Sequence, residues 1–360
     1  MSAPAYQRAL VIKLQHHGDV LLASPVLGAL AEQGIEADML VFDETTPMVA
    51  GNPHLSQLHT IARAGRRAYS LWGWLAVEWR LLRTLRARRY DLVVHLNTRR
   101  RGAWMTRLLK PRVSVAPATQ RGRFWRKSFT HLFPELRDTR HMVEIQLDAL
   151  RRVGIQPSEA AKAPYMPVSA ADIEVARGLL QQHGLAPGGY ILVHPTSRWM
   201  FKAWPPERMA VVIDALTAAG EQVVLTAAKA AEEVAMVEAI KARLSRPVLD
   251  LTGKLTLKQL GALIADAKLW FGLDSAPMHM AAALGTPCVA LFGPSVTAEW
   301  SPWRGPHRVV AHQGYSCRPC AKAGCGDGGV SECLVNLPEQ AALQAIMELA
   351  AEVGRPIRLG

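Results

Sequence analysis

Arg8-Ala9-Leu10-Val11-Ile12-Lys13-Leu14 runs directly into Gln15-His16-His17-Gly18-Asp19, and this junction decides the fold. A short, nearly unbroken apolar run ending in a polar turn reads as a strand buried on both faces, as in the middle of a parallel sheet. Past the turn, Val20–Leu30 has helical periodicity despite Pro25, and Ala37–Phe42 is the next apolar run. An amphipathic arginine-rich helix follows around Leu71–Arg88, then a strand at Leu92–Leu96 that leads into Asn97-Thr98-Arg99-Arg100-Arg101. Strands alternating with helices predict an α/β fold with a doubly wound parallel sheet.

The rhythm breaks between Lys162 and Ser169, where prolines punctuate a linker, and then restarts. Strands are expected at Tyr190–His194, Gln222–Thr226, Val248–Asp250, Leu269–Gly272 and Pro287–Phe292. Helices are expected at Pro206–Ala219, Ala230–Leu244, Leu257–Ala265 and Pro277–Leu284. The chain therefore reads as two Rossmann-like domains, residues 1–165 and 166–360, with the ligand site in a cleft between them. The last helix is expected to pack back on the first domain.

Composition narrows the function. No run reaches the roughly 18–20 apolar residues that span a bilayer, and the N-terminus lacks the pattern of a secretion leader, so the expected location is cytoplasmic. Between Arg63 and Arg152 there are 22 Lys and Arg against 6 Asp and Glu, a surplus of 16 in a chain whose net charge is +12. The positive charge is thus concentrated in one region, while the rest is net acidic. Such a region suits a polyanionic partner or is simply a solvated basic face. A nucleic-acid-binding protein would fit the charge, but no recognition-helix, zinc-finger or RNA-binding motif accompanies it. A dinucleotide oxidoreductase is disfavoured because the first turn lacks Gly-x-Gly-x-x-Gly.

Three motifs carry the chemistry. His16-His17-Gly18-Asp19-Val20 follows a central strand, where open α/β sheets bind ligands; Gly18 is expected to allow a tight turn. Asp19 could accept a proton from an incoming hydroxyl or cap the following helix. His194-Pro195-Thr196-Ser197-Arg198, followed by Lys202-Ala203-Trp204-Pro205, offers hydroxyls and a cation to a diphosphate, or is an ordinary surface loop. Gly272-Leu273-Asp274-Ser275-Ala276-Pro277-Met278-His279 places an acid at a strand end and small residues at a helix start, where amides attract phosphate oxygens. Asp274 suits sugar hydroxyls better than phosphate, since like charges repel; the alternative is a helix cap.

Taken together and in this order, the three motifs resemble the ADP-heptose:lipopolysaccharide heptosyltransferases of glycosyltransferase family 9. The His-His-Gly-Asp-Val form, continuing Leu-Leu-Ala-Ser-Pro-Val-Leu, is similar to the heptosyltransferase III branch. The resemblance implies a GT-B fold, two Rossmann-like domains facing each other across a cleft. It also implies inverting transfer of heptose from ADP-heptose to the phosphorylated inner core of lipopolysaccharide, without a catalytic metal. It makes Asp19 the catalytic base and gives the donor to Thr196, Ser197, Lys202, Leu255, Asp274, Ser275, Ala276 and His279. The acceptor would meet Lys13, His16, His17, Gly18, Arg99, Arg121 and Arg123, with the protein peripheral to the anionic inner face of the inner membrane. The Ser197–Lys202 stretch is one residue longer than in the heptosyltransferase I pattern, and Glu232 is a candidate for the ribose contact. A nucleotide-sugar epimerase on a similar scaffold and a non-enzymatic polyanion-binding protein are the competing readings. Separately, Cys317, Cys320, Cys325 and Cys333 lie within 17 residues, a spacing that suits either a structural zinc or reduced, unligated thiols.

Overall fold

The computed structural model describes residues 6–64, 70–119, 122–326 and 328–358. The chain divides into two compact units, Met1–Pro167 and Val168–Gly360.

The first unit is a six-stranded parallel sheet built from β1 (Arg8–Lys13), β2 (Glu36–Phe42), β3 (Leu58–Ile61), β4 (Leu92–His95), β5 (Val113–Pro117) and β6 (His131–Phe133). Their order is β3-β2-β1-β4-β5-β6. Leu10, Ile12, Leu40 and Val93 point into one core that receives Leu85 from the helix Leu71–Ala87. The helical stretch expected over Val20–Leu30 is two helices, His17–Leu21 and Ser24–Glu32. Pro25 lies in the first turn of the second, where a missing amide proton is harmless, while the Ser24 hydroxyl donates to the Leu21 carbonyl at 2.7 Å.

Asp38 points into the interior from β2 and survives there because Arg88 and Tyr90 donate to it at 2.7 and 2.6 Å. Burial alone would raise its pKa, but the hydrogen bonds from His59, Arg88 and Tyr90 outweigh that and hold its carboxyl well below the usual range.

The second unit repeats the plan with β7 (Tyr190–His194), β8 (Gln222–Leu225), β9 (Leu249–Asp250), β10 (Leu269–Leu273), β11 (Cys288–Leu291) and β12 (His307–Val310), in the order β12-β11-β10-β7-β8-β9. Counted within its own unit, each sheet has the same 3-2-1-4-5-6 sequence of strands. The strand order therefore reverses between β1 and β4 in one unit and between β7 and β10 in the other. The helix Glu339–Glu352 packs on β11, β12 and the helix Pro206–Ala218 of its own unit. Its apolar face, Ala342, Ile346 and Leu349, completes that unit's core. No described helix is long and apolar enough to cross a membrane.

Candidate functional site

In the first unit the reversal point carries a lysine on the strand itself. Lys13 ends β1 almost fully buried, donates to the Leu96 carbonyl just beyond β4 at 3.2 Å, and lies 3.8 Å from an Asp19 carboxylate oxygen. Burial drives the Lys13 pKa down, against the pull of Asp19. Asp19 does not cap its helix: the N-cap position is His16, and Asp19 stands in the first turn. Gly18 has no left-handed backbone; it is the second residue of that helix, and its carbonyl accepts from Leu22.

Two arginines brace the turn. Arg99 donates to the Leu14 carbonyl and Arg63 to that of Gln15, each at 2.8 Å, and both guanidinium groups lie over the Phe42 ring. His17 donates through Nε2 to the Glu44 carbonyl at 2.8 Å, and Glu44 pairs with Arg63. Arg99 thus supports the Asp19 turn from outside. Arg123, itself exposed, starts the short helix Arg123–Arg126, and Arg121 lies outside the described residues.

At the end of β4, His95 is buried against Trp125 and Phe129, with Nε2 donating to the Arg99 carbonyl and Nδ1 accepting from Asn97. Burial lowers its pKa to about 4, so the ring is neutral. It fits only because residue 102 is glycine: a Cβ there would stand 2.1 Å from the ring.

In the second unit, the turn Met200–Lys202 after β7 brings Lys202 Nζ to 2.5 Å from Asp274, at the end of β10. The bond bridges the reversal point. Asp274 leads into the helix Ala276–Leu284, whose N-cap is Ser275. The Ser275 hydroxyl does not cap the helix and is a buried oxygen without a hydrogen-bond partner, at the end where helix amides attract anions. Ala276 and His279 lie in the first turn, with His279 6.3 Å from the Trp300 ring. Gly272 is required because a Cβ there would meet the His194 carbonyl oxygen at 2.4 Å.

Thr196 is fully buried and donates to Glu233 at 2.6 Å; Glu233 also accepts from the Ala228 amide. Thr196 therefore ties its loop to the one after β8 instead of presenting its hydroxyl to a ligand. Ser197 accepts from the Trp199 amide at 3.4 Å. Glu232, the expected ribose contact, is exposed, and its neighbour Glu233 is the inward acid. The phase of Met236, Val237 and Ile240 on the helix Ala231–Lys241 carries that signal. Leu255 is half-buried just ahead of the helix Leu257–Ala265, on the same edge of the sheet but two strands away from β7. A groove lined by Thr217, Gln222, Arg246 and Leu249 lies beside the starts of β8 and β9 and includes none of Thr196, Lys202, Glu233 or Asp274.

Ser331 was not visible as a site residue. It donates to the Phe201 carbonyl at 2.6 Å, next to Lys202, while Trp204 donates to Leu337. The cysteine-bearing segment thereby holds the lysine turn. Within it, burial raises the Cys333 pKa; Arg318 opposes this, and Cys325, Cys320 and Cys317 add to it. Among the described residues no group of three or more His, Cys, Asp or Glu side chains is disposed to hold a metal ion.

The description Glycosyltransferase family 9 (heptosyltransferase) matches residues 78–330. Lipopolysaccharide heptosyltransferase 3 of Escherichia coli is 36% identical over 295 residues, covering 81% of this chain and 84% of that protein. Lipopolysaccharide heptosyltransferase 1 of Pseudomonas aeruginosa is 26% identical over 88% of this chain and 87% of that protein. A family 9 glycosyl transferase from Veillonella parvula superposes with a TM-score of 0.83 at 22% identity, covering 97% of this chain and 99% of that one. E. coli ADP-heptose lps heptosyltransferase II superposes with a TM-score of 0.75 at 21% identity, covering 97% and 100%. The two sheet units, their strand order and these likenesses agree: the chain belongs to glycosyltransferase family 9, the heptosyltransferases.

Proposed function

We propose that this enzyme transfers L-glycero-D-manno-heptose from ADP-heptose to the heptose region of the lipopolysaccharide inner core, with inversion at the anomeric carbon. The observation that carries this reading is an inversion of exposure between two Lys–Asp pairs. Lys13 is 2% exposed and Asp19 15%, whereas Lys202 is 21% exposed and Asp274 7%. The first unit offers solvent its carboxylate and the second its ammonium. A reachable carboxylate is a base for a hydroxyl, and a reachable ammonium is a counter-charge for a departing diphosphate.

In this mechanism Asp19 takes the acceptor hydroxyl proton as the oxygen attacks the anomeric carbon opposite the diphosphate. Lys202, Ser197, the Ser275 hydroxyl and the start of the helix Ala276–Leu284 receive the charge that develops on ADP. Asp274, with His279 and Ala276 beside it, faces the heptose hydroxyls, and Leu255 lies toward the adenine. Thr196 acts through Glu233 by fixing the loop. Lys13, His16, His17, Gly18 and Arg99 hold the acceptor side, and Arg121 and Arg123 meet its phosphates. No metal enters the reaction.

A structural zinc on Cys317, Cys320, Cys325 and Cys333 is suggested by their sequence spacing alone, because in the fold these thiols do not gather into a metal-holding group. Metal analysis of the purified protein decides it, since lack of stoichiometric zinc removes the idea. On this reading the acceptor is lipid-linked and the enzyme works in the cytoplasm, at the inner face of the inner membrane.

The test is incubation with ADP-heptose and purified core acceptors, read by mass spectrometry. A mass gain of one heptose supports transfer. Conversion of the donor without acceptor would favour the epimerase reading instead.

A further inference from the structure

The helix Leu71–Ala87 is anchored at one end and bare at the other. Leu81 and Leu85 pack into the first unit's core, while Trp72, Leu75, Val77 and Trp79 nearer the start are exposed. Trp72 is 80% exposed and Trp79 63%, unusual for side chains of this size. Arg80, Arg83 and Arg86 follow on the outside, with Arg83 over the Trp79 ring at 5.5 Å.

A second helix, Arg100–Leu109, runs alongside. Arg101 pairs with Glu78, and Arg86 donates to the Leu108 carbonyl at 3.1 Å. Because the links join early residue to early residue and late to late, the helices lie parallel. The neighbour adds exposed Trp104 and Leu108, and Arg107 stacks over Phe124. Indole rings and aliphatic groups set among arginines match the boundary between lipid headgroups and acyl chains, where Trp prefers to sit and guanidinium groups meet phosphate.

We propose that this two-helix face docks on an anionic phospholipid bilayer, with Trp72 and Trp79 entering the interface and Arg80, Arg83 and Arg86 pairing with headgroup phosphates. The occupant is chosen by charge complementarity, since the surrounding sequence, Arg63 to Arg152, carries a surplus of 16 positive charges in a chain whose net charge is +12. The proposal rests on the acceptor being lipid-linked, and its experiment reads membrane binding apart from transfer.

The full chain is sedimented with vesicles of phosphatidylcholine alone or mixed with phosphatidylglycerol, beside a Trp72→Ser/Trp79→Ser variant and an Arg80→Gln/Arg83→Gln variant. Binding to the anionic vesicles is expected to exceed that to neutral ones. Each double variant should weaken it by about tenfold or more while retaining wild-type melting and wild-type transfer to a delipidated, water-soluble acceptor. Equal sedimentation of the tryptophan variant and wild type overturns the proposal. So does wild-type protein that ignores both vesicles, or a concentration-dependent dimer that the variant abolishes, which would assign the face to a second copy. Binding of short duplex DNA that depends on these tryptophans, with no vesicle binding, would assign it to nucleic acid and overturn it equally.

Discussion

The two units share one strand order and both place a Lys–Asp pair where that order reverses, yet they build it from opposite parts. In the first, the lysine belongs to the strand and the aspartate to the helix that follows; in the second, the lysine comes from a turn and the aspartate ends a strand. Each unit also buries a neutral histidine beside the reversal, His95 at the end of β4 and His194 at the end of β7. The lesson is that the same topology can turn either a carboxylate or an ammonium toward solvent at its ligand edge. The choice depends on which partner of the pair is hidden.

If that division holds, Asp19→Asn strikes chemistry alone. It should lower kcat by about 10²–10⁴-fold while ADP affinity, measured by calorimetry, stays near wild type. A variant with full turnover would remove the base from the first unit and end the comparison. Lys202→Met should act on the donor, cutting kcat/KM for ADP-heptose by about 10²-fold and weakening ADP itself. Unchanged ADP binding would show that the second pair is structural.

The histidines give a milder test. Burial holds both His95 and His194 near a pKa of about 4, below the ordinary value of 6.5. Between those values the unfolded chain binds more protons, so stability present above about pH 6.5 is lost as pH falls toward 4. Each histidine contributes up to about 1.4 kcal/mol per pH unit, and His95→Asn and His194→Asn should each flatten the acid limb of thermal melts. A variant whose limb is as steep as wild type assigns its unit no share.

The smallest effect expected is that of Ser331→Ala, which removes one hydrogen bond to the Lys202 turn. Donor KM should rise by several-fold, about 1 kcal/mol, with kcat little changed and Ser331→Thr restoring it. An unaltered KM would show that the turn stands without this tether.

Much of this was legible because the central strands wear their burial openly. Leu10–Ile12, Tyr190–Val193 and Leu269–Leu273 are apolar without alternation, as strands covered on both faces must be. Four strands escaped notice: the edge strands β3, β6 and β12, short and carrying His59, His131, His307 and Arg308, and the interior strand β5, short and interrupted by Ser114 and Pro117. Asp19, Lys202 and Asp274 could be found because turns after central strands are where ligands bind. Glu233 was recoverable from helix phase, but adjacency to Glu232 hid it. Ser331 and the match of Gly102 to His95 were not recoverable, since each depends on a contact between residues whose proximity only the folded chain creates.

The interruption at Leu22 and Ala23 has its own consequence. Were His17–Glu32 one continuous helix, the direction of the Asp19 carboxylate would be locked to Val26, Leu27 and Leu30 by helical phase. The break uncouples them, and because Leu22 and Ala23 are themselves buried it is a fixed offset, not a swivel. Enlarging either buried residue would therefore disturb the core and the bearing of the Asp19 turn together.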